Sequence, residues 1–155
     1  IFTMAKVDPA RVADILSVQQ LINEWADELD IRNGLSITDL LCEDVVYTVR
    51  GGARHNRDEV LAFYRQRFAE LEATPAGVPV HRHAVINLRT QFRSGDEVTC
   101  RFGMIYFSAM GMASGTDHAD PALVADVEMD CRRCADGHWR IARFDSAPVF
   151  RRVVG

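Results

Sequence analysis

Apolar residues along this chain change their spacing about half-way. Up to residue 72 they recur every three or four positions, and from residue 79 they alternate or run together, so helices precede strands. Asp8-Pro9 fits a helix start, with Asp as cap and Pro in the first helical position. Ser17-Val18-Gln19-Gln20 has the spacing of a second start. Val18, Leu21, Ile22, Trp25 and Leu29 then form an apolar stripe, which Asn33-Gly34 ends. A short helix is expected over 36–41 and a strand over 45–49, stopped by Gly51-Gly52. Asn56 can cap a helix over 57–72, with Val60, Leu61, Phe63, Tyr64, Phe68 and Leu71 on its buried side. Thr74-Pro75-Ala76-Gly77 breaks it. Strands are expected over 79–92, 97–110, 122–134 and 138–149, with a loop over 111–121 and a hairpin turn at Ala135-Asp136-Gly137. The pattern predicts an α+β fold in which helices pack on a four-stranded antiparallel meander, bent around a pocket.

The strand Pro79-Val80-His81-Arg82-His83-Ala84-Val85-Ile86-Asn87-Leu88 carries the densest candidate chemistry. Residues two apart share a face of a pleated strand, so His81, His83, Val85 and Asn87 are expected on one side. Asp30 is the candidate partner. It sits in the last helical turn before Asn33-Gly34, where a carboxylate faces the negative end of the helix dipole at a cost of about 0.3–1 kcal/mol. An imidazolium is favoured at that place. If Asp30 meets His83, the pair has the logic of a general base and its orienting acid. The other reading is a solvated helix-end acid and an unrelated histidine.

Composition narrows the partners. The chain has 155 residues, enough for one domain with a real core, and residues 1–7 are expected to form a loose N-terminal tail. A formal net charge of -4 argues against a general nucleic-acid or anionic-membrane binder. No apolar run approaches a membrane span, and no charged-then-apolar signal segment opens the chain. Cys42, Cys100, Cys131 and Cys134 show no disulfide framework, which points to a reduced, cytoplasmic setting.

Three stretches carry a family resemblance. They are Leu21 through Asp30 followed by Cys42-Glu43-Asp44-Val45-Val46-Tyr47, then His83-Ala84-Val85-Ile86-Asn87, then Asp136-Gly137-His138-Trp139-Arg140-Ile141. In order they resemble SnoaL-like proteins of the NTF2-like superfamily, and most of all the branch containing scytalone dehydratase and hexachlorocyclohexane dehydrochlorinase. The resemblance implies a cone-shaped α+β barrel with an internal pocket. It implies a His–Asp pair, Asp30 and His83 by position, that removes a proton so that water or chloride can leave. It further implies a homo-oligomer, dimer or trimer. The dehydrochlorinase has a leaving-group arginine in its last strand, and by alignment that position is Phe144 here, which argues against halide elimination. Scytalone dehydratase polarises its ketone with tyrosines, a part that Tyr47 could take.

The expected pocket also includes Trp25, one turn before Asp30, with His81 at the rim and Asn87, Met104, Tyr106, Glu128 and Phe144 in the wall. Glu128 shares a strand face with Asp126 and Asp130. Facing inward it would be an acid of raised pKa; facing outward it would pair with Arg132 and Arg140. His81-x-His83 could give two metal ligands, but no spacing nominates a third, so neither metal nor cofactor is expected. Cys131-x-x-Cys134 has redox spacing, but on a strand the two thiols point apart. The functional expectation is a cofactor-independent lyase or isomerase, dehydratase-like, acting on a small hydrophobic and aromatic or polycyclic substrate. The alternatives are a non-catalytic small subunit of a ring-hydroxylating dioxygenase and a ligand-binding NTF2-like protein.

Overall fold

A computed structural model describes residues 6–109 and 118–152. Asp8 accepts the Ala10 N–H at 2.9 Å and opens a 3-10 turn, Pro9–Arg11, which feeds directly into α1, Val12–Arg32. No second start occurs at Ser17. Its hydroxyl donates back to the Ala13 carbonyl at 2.9 Å inside a continuous helix, and Gln20 bonds Glu24 on the exposed face instead. The buried stripe of α1 is Val18, Leu21, Ile22, Trp25, Ala26, Glu28 and Leu29. Asn33 and Gly34 stop the helix with φ of 56° and 79°, the left-handed conformation that these two residue types accept most readily.

The segment expected as a short helix is a 3-10 turn, Ile37–Leu40, leading into β1, Leu41–Val49. The chain then reverses at Arg50-Gly51 into a short strand, β2, Gly52–Arg54, where the sequence pattern suggested only a stop. Asn56 caps α2, Arg57–Glu72, by accepting the Glu59 N–H at 2.9 Å. Only Val60 and Tyr64 of α2 are fully buried; Leu61, Phe63, Phe68 and Leu71 are half-buried, because α2 covers an edge of the sheet.

Four long strands follow: β3, Val80–Phe92; β4, Glu97–Ala109; β5, Pro121–Arg133; and β6, Trp139–Arg151. Met110 and most of the expected 111–121 loop lie outside the described residues. The meander is part of a six-stranded sheet ordered β2-β1-β6-β5-β4-β3. β1 lies parallel to β6, with Tyr47 opposite Phe144 and their rings stacked 4.4 Å apart. That pairing joins segments nearly a hundred residues apart, and no local pattern announces it. The sheet curves and does not close. α1 packs across its concave side, chiefly against β3 and β6. Val18, Ile22 and Trp25 thus meet Phe102, Met129 and Phe144 in one buried core.

A bulge interrupts β3 between Ile86 and Arg89, and Asn87 there has a φ of 55°. A bulge shifts register, and a shift of one residue sends side chains to the other face. The strict alternation expected from His81 to Asn87 therefore breaks before Asn87.

Candidate functional site

A cavity of about 410 Å³ lies between the concave face of the sheet and the two helices. That size suits a small organic ligand. Its walls include Trp25, Tyr47, Tyr64, His81, His83, Met104, Tyr106 and Phe144. Of the residues that the sequence nominated, Asp30 stands behind His83 rather than in the wall, and the expected wall residues Asn87 and Glu128 are absent from it. Asn87 and Glu128 line a second concavity of the sheet, of about 570 Å³. Asn87 is turned outward by the bulge. Glu128 faces outward as β5 alternates, and it pairs with Arg101 at 2.8 Å and with Arg143, rather than with Arg132 and Arg140. The hydrogen bond from Arg101 holds its carboxyl below the usual glutamate range; burial opposes this and Arg143 adds to it, so it is not an acid of raised pKa.

His83 and Asp30 meet. His83 Nδ1 lies 2.6 Å from Asp30 Oδ1, and the backbone N–H of His83 donates to Asp30 Oδ2 at 2.9 Å. Both side chains are largely buried, His83 at 13% and Asp30 at 8% exposure. A carboxylate only accepts, so Nδ1 carries a proton, and in the neutral imidazole Nε2 then keeps the lone pair. The Trp25 and Tyr106 rings flank the imidazole, with centroids 5.8 and 4.7 Å away.

The end of α1 is fastened so that Asp30 cannot drift. Buried Glu28 accepts the Ser36 N–H at 2.6 Å and is bonded by Arg32, which ties the last helical turn to the following segment. His81 is not a rim residue. It is 3% exposed, and its Nε2–H donates to the Leu29 carbonyl at 2.9 Å, satisfying an orphan carbonyl of the α1 terminus. Burial lowers its pKa, although the bond to Leu29 opposes the shift. His81 therefore stays neutral with Nδ1 as an acceptor, facing the Tyr106 hydroxyl at 3.4 Å.

A second directional chain crosses the cavity wall. The Trp25 indole N–H can only donate, and it donates to the Tyr47 hydroxyl oxygen at 2.9 Å. The Tyr47 and Tyr64 hydroxyls lie 2.9 Å apart, where either can donate, and in one of the two arrangements Tyr47 donates to Tyr64. The Tyr64 proton is then free for an oxygen atom inside the cavity. Burial pushes the Tyr47 hydroxyl well up and Tyr64 to about 12, even though its bond to Tyr47 and the charges of Arg67, Arg50 and Arg54 pull Tyr64 down. Both remain protonated at neutral pH. Tyr64 was read from the sequence only as part of a buried helix face; nothing in helical spacing separates a core tyrosine from one that ends in a cavity. Arg67, whose Nη2 lies 3.5 Å from the Tyr106 hydroxyl, was likewise missed. Among the described residues, no three His, Cys, Asp or Glu side chains converge as metal ligands.

The SnoaL-like domain model matches residues 10–145. The chain belongs to the SnoaL-like domain family. Solved structures of this NTF2-like fold agree over most of the chain. The hexachlorocyclohexane dehydrochlorinase LinA-type3 of Novosphingobium barchaimii LL02 is 17% identical over 92% of this chain and 90% of its own, with a TM-score of 0.72. ActVI-ORFA of Streptomyces coelicolor is 14% identical over 89% and 98%, with a TM-score of 0.73. A Catenulispora acidiphila protein in complex with S-DNPA is 19% identical over 88% and 93%, with a TM-score of 0.69. No curated protein matches. At such identities these structures show a shared fold, and the chemistry has to be argued from the side chains present. No helix among the described residues is long and apolar enough to cross a membrane.

Proposed function

We propose that this SnoaL-like protein is a cofactor-independent lyase, isomerase or cyclase that removes a proton next to a carbonyl group of a small lipophilic substrate. The observation that carries the reading is the 2.6 Å contact between His83 Nδ1 and Asp30 Oδ1, with the imidazole forming part of the cavity wall. His83 Nε2 takes the carbon-bound proton, and the electron pair moves onto the carbonyl oxygen to form an enolate. Asp30 stabilises the imidazolium that results. The Tyr64 hydroxyl, oriented by Trp25 and Tyr47, donates to the enolate oxygen. In a dehydration the imidazolium returns its proton to a departing β-hydroxyl, which leaves as water. In an isomerisation the proton goes back to a different carbon.

Phe144 in the cavity wall gives no charge to a departing halide, which favours water loss or isomerisation over halide elimination. The small-subunit alternative called for a flat sheet without a deep pocket, and the cavity counts against it.

The test is hydrogen–deuterium exchange at the activated carbon of bicyclic aromatic ketones such as 2-tetralone, followed by NMR in D2O. The wild-type chain is expected to accelerate exchange, and His83→Ala to return it to background. Exchange that survives His83→Ala would overturn the proposal.

A further inference from the structure

Among the described residues, the cavity wall contains three arginines, Arg50, Arg67 and Arg151, and no aspartate or glutamate. Several arginines elsewhere pair with acids: Arg132 meets Asp44, Arg140 meets Asp136, and Arg143 meets Glu128 and Asp130, while Arg54, Arg82 and Arg152 donate to backbone carbonyls. Among the described residues, Arg50, Arg67 and Arg151 have no carboxylate within ion-pair distance. Unpaired cations lining a largely apolar cavity raise the local affinity for an anion.

The backbone at Arg50 supplies a second observation. The two-residue turn between β1 and β2 places Arg50 at φ 49° and Gly51 at φ 73°. Such turns favour Asn, Asp or Gly at both places, and a long side chain in the left-handed region is strained. Arginine is the wrong residue for the turn and the right one for reaching an anion in the cavity that it lines. Arg67 approaches from α2, half-buried, and the charges of both arginines act on the Tyr64 hydroxyl.

We infer that the cavity takes a lipophilic substrate carrying a carboxylate, with Arg50 and Arg67 clamping the carboxylate and the carbon skeleton reaching His83. This inference rests on the catalytic reading of the same cavity and names its substrate class. Tyr106 sets the spacing: its hydroxyl meets Arg67 at 3.5 Å and its ring centre lies 4.7 Å from that of His83. The carboxylate and the reacting carbon of the substrate are therefore separated by about the length of one aromatic ring. The guanidinium fork matches a carboxylate in two parallel hydrogen bonds, which fixes orientation as well as position.

Calorimetric titration with 2-naphthoate and with methyl 2-naphthoate, the same ring system with and without charge, tests this. The carboxylate is expected to bind at least tenfold tighter than the ester at low salt, with the preference shrinking as salt is raised. Arg67→Met and Arg50→Asn are each expected to reduce that preference threefold or more and to leave ester affinity within twofold. Arg50→Asn also separates a binding role from a structural one, because Asn suits the turn and should not lower the thermal midpoint. Equal binding of acid and ester, binding of neither, or a preference that survives the double variant would overturn the inference. The same titrations on His83→Ala keep the two readings apart. A preference intact there, with no exchange catalysis in the wild type, sinks the catalytic reading and leaves the anion clamp standing.

Discussion

Asp30 holds His83 at two points: one carboxylate oxygen faces Nδ1 at 2.6 Å, and the other accepts the backbone N–H of the same residue at 2.9 Å. The acid thus fixes the strand and the ring together. Asp30→Asn keeps the shape but lets the amide favour the wrong tautomer. The expected outcome is a fall in kcat of about 10²–10⁴ with ligand affinity nearly unchanged. Exchange kinetics beside a binding titration would check it, and a fall in affinity alone would count against the dyad.

The tyrosine chain predicts an asymmetry. Tyr64→Phe removes the terminal donor and the acceptor of the Tyr47 proton, but it leaves the Tyr47 hydroxyl bonded by Trp25, so kcat should fall while stability drops by about 1 kcal/mol. Tyr47→Phe strands the buried Trp25 N–H and should cost about 1–3 kcal/mol. Urea unfolding of the two variants gives the comparison, and equal losses would contradict the direction assigned to the chain.

Gly34 joins the helix end to the cavity wall. A Cβ there would lie 2.5 Å from the Tyr64 ring, at a backbone φ of 79°. Gly34→Ala is expected to destabilise by about 2–4 kcal/mol, from backbone strain and overpacking together. It should also displace Tyr64. Thermal unfolding and the near-ultraviolet circular dichroism of the tyrosines report the two effects.

His81 predicts a pH dependence. Burial lowers its pKa in the folded protein below the ordinary 6.5. The unfolded chain therefore binds a proton that the folded protein refuses. The stabilisation is complete above about pH 6.5 and is lost as pH falls from there toward the folded value. Urea midpoints at pH 7.5 and 5.5 should differ more for the wild type than for His81→Gln, which keeps a donor for the Leu29 carbonyl without titrating in this range. A pH difference of the same size in the variant would rule His81 out as its source.

Local pattern carried much of this protein. The αL stop at Asn33-Gly34, the Asn56 cap and the four long strands could be read because each rests on contacts within a few residues. The pairing of β1 with β6, the hairpin to β2 and the bulge at Asn87 could not be read locally, since each depends on a partner strand distant in sequence or on a small shift of register. The bulge moved Asn87 off the histidine face, and outward alternation put Glu128 among arginines. His81 looked like a lesser copy of His83 because two residues on one strand face have equivalent surroundings until something packs on them.

The sequence by itself determined the helix-then-strand order, the family to which the chain belongs, and the choice of Asp30 and His83 as a candidate pair, because element type follows from spacing and the pair sits in recognisable motifs. Tertiary structure alone decided which groups look into the cavity. The end of α1 crosses β3, so neighbouring histidines receive different partners, an aspartate for one and a helix-end carbonyl for the other. The same packing brings Tyr64, Arg67 and Arg50 to the cavity wall from elements whose own periodicity is silent about it. Direction across a cavity depends on how elements cross, and crossing is set by long-range packing that no short window of sequence contains.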